Sequence, residues 1–172
     1  VLPFKANNYV VDQLIDWDNS EKDPIYNLTF PQKGMLSNEH FDRMAELVRG
    51  NADRNTIKEV ANEIRWELNP HPAGQEINVP TLEGEKLKGI KHKYRETLLF
   101  FPSQGQTCHA YCTFCFRWPQ FVGIDQLKFA MKEGSLLVEY LREHPEASDV
   151  LFTGGDPMIM KTKIFATDIE PL

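Results

Sequence analysis

The chain has 172 residues, with 19 lysines and arginines against 25 aspartates and glutamates, for a formal net charge of −6. That balance gives no electrostatic footing for nucleic acid or an anionic membrane surface, and no apolar run approaches the roughly 18 residues of a membrane span. The length suffices for one domain with a substantial core, and the opening Val1-Leu2-Pro3-Phe4-Lys5 carries neither an initiator methionine nor a signal-peptide pattern.

Residues 1–36 show no sustained hydrophobic period. A first helix is predicted from about Ser37 to Arg49. Ser37 can cap its free N–H groups, Phe41, Met44, Ala45 and Val48 recur at helical spacing, and Gly50 suits the exit. A second is predicted from about Arg54 to Leu68, with Ile57, Val60, Ala61, Ile64 and Leu68 as its apolar stripe and Asn69-Pro70 as its stop. His71 to Gly89, punctuated by Pro72, Gly74, Pro80, Gly84 and Gly89, reads as an irregular arm. The expected organisation is therefore a mainly helical region over 1–90 and the start of a second core over 91–172.

From Thr97 the texture changes. Leu98-Leu99-Phe100-Phe101 is a continuous apolar run, as in a strand buried on both faces of a parallel sheet. An amphipathic helix is predicted from about Asp125 to Arg142, with Leu127, Ala130, Met131, Leu137, Val138 and Leu141 on one face. Val150-Leu151-Phe152-Thr153 is a second strand. The order strand, loop, helix, strand, loop is a βαβ unit, which brings both unusual loops to one edge of the sheet. Active sites of α/β sheets and barrels form at that edge.

The chain's three cysteines all lie in the loop after the first strand, as Cys108-His109-Ala110-Tyr111-Cys112-Thr113-Phe114-Cys115. Their crowding argues for metal use in a reducing compartment, the cytoplasm, since three cysteines cannot all pair within the chain. A C-x3-C-x2-C set can hold a [4Fe–4S] cluster through three irons and leave the fourth open, whereas an electron-transfer cluster normally takes four cysteines. At the open iron a small molecule with an amine and a carboxylate can chelate, and an electron can pass into a nearby sulfonium C–S bond. Two alternatives stand beside this. Spaced i, i+4, i+7, the cysteines could form a core stripe on a helix. A C-x2-C knuckle with His109, His92 or His144 could bind zinc, although structural zinc sites usually pair two knuckles.

Phe114, Phe116, Trp118 and Phe121 surround the last cysteine; they read as core packing, with at least one available to shield a cluster or abut an adenine ring. Arg117 places a cation two residues past Cys115 and could clamp a carboxylate, or form a structural ion pair. After the second strand, Gly154-Gly155-Asp156-Pro157 permits close backbone approach, and its carbonyls with the Asp156 carboxylate suit a protonated amine.

The cysteine spacing resembles the cluster motif of the radical S-adenosylmethionine (SAM) superfamily, and Gly154-Gly155-Asp156 resembles that superfamily's amine-binding Gly-Gly-Glu element in a Gly-Gly-Asp variant. More narrowly, the run from His92-Lys93-Tyr94 through the cysteines, Arg117, Phe121 and Gly123 to Asp149–Asp156 is similar to the lysine 2,3-aminomutase family over about residues 60–160. The resemblance implies an α/β fold: a helical N-terminal region followed by the first βαβ part of a partial TIM-like (β/α)6 barrel, truncated here. It implies SAM at the open iron, cleavage to a 5′-deoxyadenosyl radical, a small amino-acid-type substrate, and an external electron donor such as flavodoxin or ferredoxin. It gives Cys108, Cys112 and Cys115 to the cluster, Gly154, Gly155 and Asp156 to SAM, and Arg117 to the substrate's carboxylate.

Two departures bear on pyridoxal phosphate, which aminomutases of this family hold on a later lysine. Trp118 and Pro119 stand where the family continues with arginines, and Glu96-Thr97 stands where it has a basic residue for the phosphate. An aminomutase-like enzyme, a radical enzyme without pyridoxal phosphate and a non-catalytic metal-stabilised interaction module all stay open. Because Asp156 closes a motif usually found early in a larger domain, the chain reads as a fragment of a longer protein.

Overall fold

The computed structural model of the protein describes residues 1–69 and 76–172. The chain divides into two compact units, Val1–His71 with Ala110–Val122, and Pro72–His109 with Gly123–Leu172. Together they give an α/β arrangement of N-terminal helices followed by strands in two small, open sheets.

In the first unit, side-chain caps decide where the helices begin. Residues 1–36, which lack a hydrophobic period, nevertheless hold short helical turns and helix α1 (Pro24–Thr29). Asp23 sets that start, its carboxylate accepting from the Tyr26 N–H at 2.7 Å while Pro24 occupies the first turn. Helix α2 (Asn38–Arg49) is capped by Ser37, which accepts from the His40 N–H, and it ends at Gly50. Helix α3 (Arg54–Leu68) is capped by Asp53 and closed by Asn69, whose N–H reaches the carbonyls of Arg65 and Trp66. Pro70 and the first part of the expected arm, residues 71–75, lie outside the described residues. Ile64 of α3 is fully buried and Ala61 nearly so; burying such an isoleucine contributes about 1.5–3 kcal/mol. On the open side, Arg43 bridges Glu63 and Glu67 at 3.0 and 2.9 Å, and His40 meets Glu67 at 2.8 Å.

The second unit opens with a hairpin, β1 (Thr81–Leu82) against β2 (Glu85–Lys86). Its turn residues Glu83 and Gly84 both have positive φ, 51° and 86°, as a tight two-residue turn requires. The stretch expected to be irregular is thus partly a sheet. Strands β3 (Ile90–His92), β4 (Thr97–Phe100) and β5 (Asp149–Phe152) follow, in spatial order β3-β4-β5. Strand β4 runs antiparallel to β3 and parallel to β5, with Leu98 opposite Val150 and Phe100 opposite Phe152. The sheet is therefore mixed, and β4 is not buried on both faces: Leu98 and Phe100 are fully buried, whereas Thr97 and Leu99 are half-buried. Leu99 pairs with the exposed Leu151 on the other face.

The crossover from β4 to β5 contains helix α4 (Gly134–Glu143), and helix α5 (Thr162–Ile169) ends the chain. A single helix over 125–142 is overturned. Residues Asp125–Leu127 make one 3-10 turn, and the chain then extends so that Met131 forms a parallel bridge with Pro102. Met131 donates to the Phe101 carbonyl at 3.1 Å and accepts from the Ser103 N–H at 2.8 Å. Pairing with the end of β4 takes those backbone groups away from any helix, because each can serve only one ladder. Leu82, Leu87, Ile90, Leu98, Phe100, Met131, Leu137 and Tyr140 form the core of this unit.

Candidate functional site

Both loops predicted to matter leave the same edge of the sheet, after the parallel strands β4 and β5. Within the second unit they are bonded to each other. The Asp156 N–H donates to the Thr107 carbonyl at 2.7 Å, one residue before Cys108. A Cβ on Gly155 would come under 3.0 Å from the Thr107 backbone and the Gly105 carbonyl, and one on Gly154 would strike the Gln106 carboxamide at similar range. Gly154 also holds φ at +120°, a region open essentially to glycine. These two glycines therefore form a backbone ledge pressed against the approach to the cysteines. Asp156 uses one carboxylate oxygen to cap the 3-10 turn Pro157–Ile159, accepting from the Met158 N–H at 3.0 Å.

The cysteine stretch crosses between the units, Cys108 lying in the second and Cys112 and Cys115 in the first. None of the three is in a disulfide; Cys112 is exposed and the others half-buried. In the first unit, residues 110–122 are strapped to the N-terminal segment. Tyr111 donates its N–H to the Lys5 carbonyl at 2.8 Å, and Thr113 donates its N–H to Leu28 at 2.7 Å and its hydroxyl to Asn27 at 2.9 Å. Phe121 stacks on Tyr111, ring centroids 4.4 Å apart. A tight turn brings the Cys115 N–H to the Cys112 carbonyl at 3.1 Å, so these residues do not follow a helical stripe of three. Burial pushes the Cys115 thiol up, a hydrogen bond from the Arg117 backbone opposing the rise.

Arg117 is 7% exposed, and burial pushes its guanidinium down to about 10, with Cys115 opposing. It stays cationic at neutral pH and is a fixed positive charge beside the third cysteine. The aromatic residues divide: Trp118 and Phe121 pack, whereas Phe114 and Phe116 are 78% and 86% exposed, so core packing does not account for those two. A cavity of about 330 Å3 lies against Cys112 and Cys115, walled by Leu2, Pro3, Met35, Tyr111, Trp118 and others, with no charged side chain among the described residues that line it.

Among the described residues, no group of three or more His, Cys, Asp or Glu side chains is arranged to hold a metal ion. In kind, three cysteines on one short stretch fit an iron–sulfur cluster, and metal binding commonly draws such ligands together as it organises them. Two histidines considered for zinc are engaged elsewhere: His92 bonds Tyr140 at 2.8 Å, and His144 bonds Glu146 at 3.0 Å. His92 pairs with Leu98 near the start of β4, at the end of the sheet away from the cysteine loop. Gln106 escaped the sequence reading, since nothing in Pro-Ser-Gln-Gly-Gln-Thr distinguishes it; only the fold sets it against Gly154.

No protein-family model matches the chain. It is 32% identical over 160 residues to the Aquifex aeolicus protein named "Putative L-lysine 2,3-aminomutase", covering 92% of the chain and 32% of that protein. It is 38% identical over 83 residues to the L-lysine 2,3-aminomutase of Haemophilus influenzae (48% and 23%), and 31% over 78 residues to that of Escherichia coli (42% and 20%). The chain thus spans between a fifth and a third of the length of these relatives. It is homologous to lysine 2,3-aminomutases, consistent with a member of the radical SAM superfamily.

Proposed function

We propose that the chain carries the cluster- and SAM-binding part of a radical SAM enzyme of the aminomutase-like group, acting on an amino-acid-type substrate. In this reading residues 91–172 open a (β/α)6 barrel after a helical region of 1–90. Cys108, Cys112 and Cys115 hold three irons of a [4Fe–4S] cluster, and the carbonyls of Gly154 and Gly155 with the Asp156 carboxylate accept from the SAM ammonium. Arg117 keeps a cation beside Cys115, and the aminomutase likeness gives it the substrate's carboxylate as partner. When bound, reduced cluster and SAM together supply the 5′-deoxyadenosyl radical that takes hydrogen from the substrate. An electron donor such as a flavodoxin or ferredoxin, and a reducing cytoplasm, belong to the same reading. Among the described residues no helix is long and apolar enough to cross a membrane.

The observation that carries this is the bond from Asp156 to Thr107, which sets the Gly-Gly-Asp ledge against the residue preceding Cys108. Anaerobic reconstitution of the full-length protein should give about four irons and four sulfides per chain, as a [4Fe–4S] cluster requires. Incubation with SAM and a reductant should then release 5′-deoxyadenosine. A tetrahedral zinc site with no iron uptake, or iron uptake without 5′-deoxyadenosine, would replace the enzyme with a metal-stabilised interaction module.

A second reading, a radical SAM enzyme that does not use pyridoxal phosphate, is favoured by Trp118 and Pro119. Pro119 is buried, and Trp118 lines a cavity with no charged side chain among its described lining residues, where phosphate-binding arginines would otherwise stand. The visible absorbance of bound pyridoxal phosphate in the purified full-length protein separates the two.

A further inference from the structure

Gln106 closes the 3-10 turn Ser103–Gly105 that follows β4. Its Nε2 lies 3.0 Å from the Pro102 carbonyl and 3.2 Å from the Thr153 carbonyl. Those carbonyls belong to the residues leaving the two parallel strands, Pro102 after β4 and Thr153 after β5. Two acceptors on one side-chain atom require an NH2 group there, which fixes the amide's orientation by chemistry. The carboxamide fills the space a side chain at 154 would need. Its Oε1 is buried and, among the described residues, accepts no hydrogen bond. A lone buried acceptor is costly, so the amide is held for what its nitrogen does.

We infer that Gln106 is a positioning residue: its carboxamide ties the exit of β4 to the exit of β5 and sets the distance between the backbone entering Cys108 and the Gly154-Gly155-Asp156 ledge. The ligand toward which it positions that ledge, the SAM ammonium, rests on the function proposed above. The tie itself does not. Two backbone bonds also join these loops, Thr153 N–H to the Phe100 carbonyl at 2.8 Å and Asp156 N–H to the Thr107 carbonyl at 2.7 Å. The turn Ser103–Gly105 packs on Pro157–Ile159, where a Cβ on Gly105 would meet Met160 Sδ at 3.2 Å. The Gln106 amide is the side-chain tie that reaches the carbonyls of both strand exits.

The test is Gln106→Met, which keeps length and volume but cannot donate, with Gln106→Glu as a second variant whose carboxylate would face two carbonyl oxygens. Four quantities are read on the full-length protein: Tm, iron per chain, SAM affinity from the cluster's electron paramagnetic resonance, and hydrogen exchange at the Asp156 amide without cluster. A positioning role gives Tm and iron near wild type, SAM affinity at least tenfold weaker with loss of the SAM-induced spectral change, and Asp156 exchange at least tenfold faster. Wild-type affinity together with wild-type exchange in Gln106→Met overturns the inference. So does parallel loss of Tm, iron and affinity in both variants, which would make Gln106 an ordinary fold support. Should wild-type protein take up no iron, the function proposed above fails, and the exchange arm still decides on Gln106: faster exchange upholds the tie and unchanged exchange removes it.

Discussion

Under the function proposed above, the Gly-Gly-Asp ledge and the cysteine stretch would hold their ligands in opposite ways. The ledge is made of backbone, locked by Asp156 on Thr107 and Gln106 on Thr153, on a sheet whose central residues Leu98 and Phe100 are fully buried. The cysteine stretch presents side chains: Cys112 is exposed, Phe114 and Phe116 are exposed on either side of Cys115, and the loop is strapped through Tyr111 and Thr113. A backbone ledge is organised before its ligand arrives. A set of thiols is organised by the metal it binds, because thiolates held close repel one another until a cation joins them. The difference predicts that ligand recognition at the ledge tracks the fold, while cluster loading tracks the cysteines alone.

The largest effect that would break this contrast is at Cys112. Cys112→Ser should reduce iron per chain to background while Tm of the metal-free protein stays at the wild-type value, since an exposed thiol contributes little packing. A large drop in metal-free Tm would mean that the cysteine stretch is itself part of the fold. Next comes Phe100→Ala, which empties the centre of the ledge's sheet and should cost about 3–5 kcal/mol by chemical denaturation. The contrast sharpens if that variant, below its unfolding range, loses SAM affinity before it loses iron.

Asp156→Ala should leave iron content intact and weaken SAM binding about ten- to a hundredfold, as expected for losing a charge-assisted hydrogen bond of about 1.5–3 kcal/mol. Unchanged affinity in the folded variant would assign the amine to the glycine carbonyls alone, with Asp156 serving only as the cap of the following turn. The smallest effect is in the α2–α3 pair. Hydrogen bonds from Arg43 and then His40 hold the Glu67 carboxyl below its ordinary range. A lowered folded value means that this contribution is present above the unfolded carboxylate pKa, near 4.3, and is lost as pH falls through the folded value. Stability of the protein should therefore decline slightly more steeply below about pH 4 than in Glu67→Gln. Parallel acid limbs for the two proteins would show the pairing to be idle.

How much of this was legible depended on how local each cause is. Helix α3 begins and ends where the stripe Ile57–Leu68 and the stop at Asn69 put it, and α2 begins at Ser37, because caps and periodicity act within one or two turns. The parallel pairing of β4 with β5 and the meeting of their loops follow from the strand–helix–strand order, through the handed crossover rule. Local signals failed where a distant partner won. The apolar residues from Leu127 to Leu141 suited one helix, but Met131 pairs with the chain leaving β4, so the α-helix is confined to Gly134–Glu143. Phe114 and Phe116 have the composition of core and the exposure of surface.

The sequence by itself determined the chemistry available: three thiols at fixed spacing, a cation after the third, and two glycines with an aspartate one strand later. Residue type and spacing along a short loop are local properties that no packing can change. Only the tertiary structure decided which of these groups meet. That Thr107 receives Asp156, that Gln106 fills the room left by Gly154, and that Tyr111 and Thr113 are strapped to Lys5 and Leu28 are contacts between segments tens of residues apart. Such contacts are set by sheet register and loop closure, which a linear pattern does not encode.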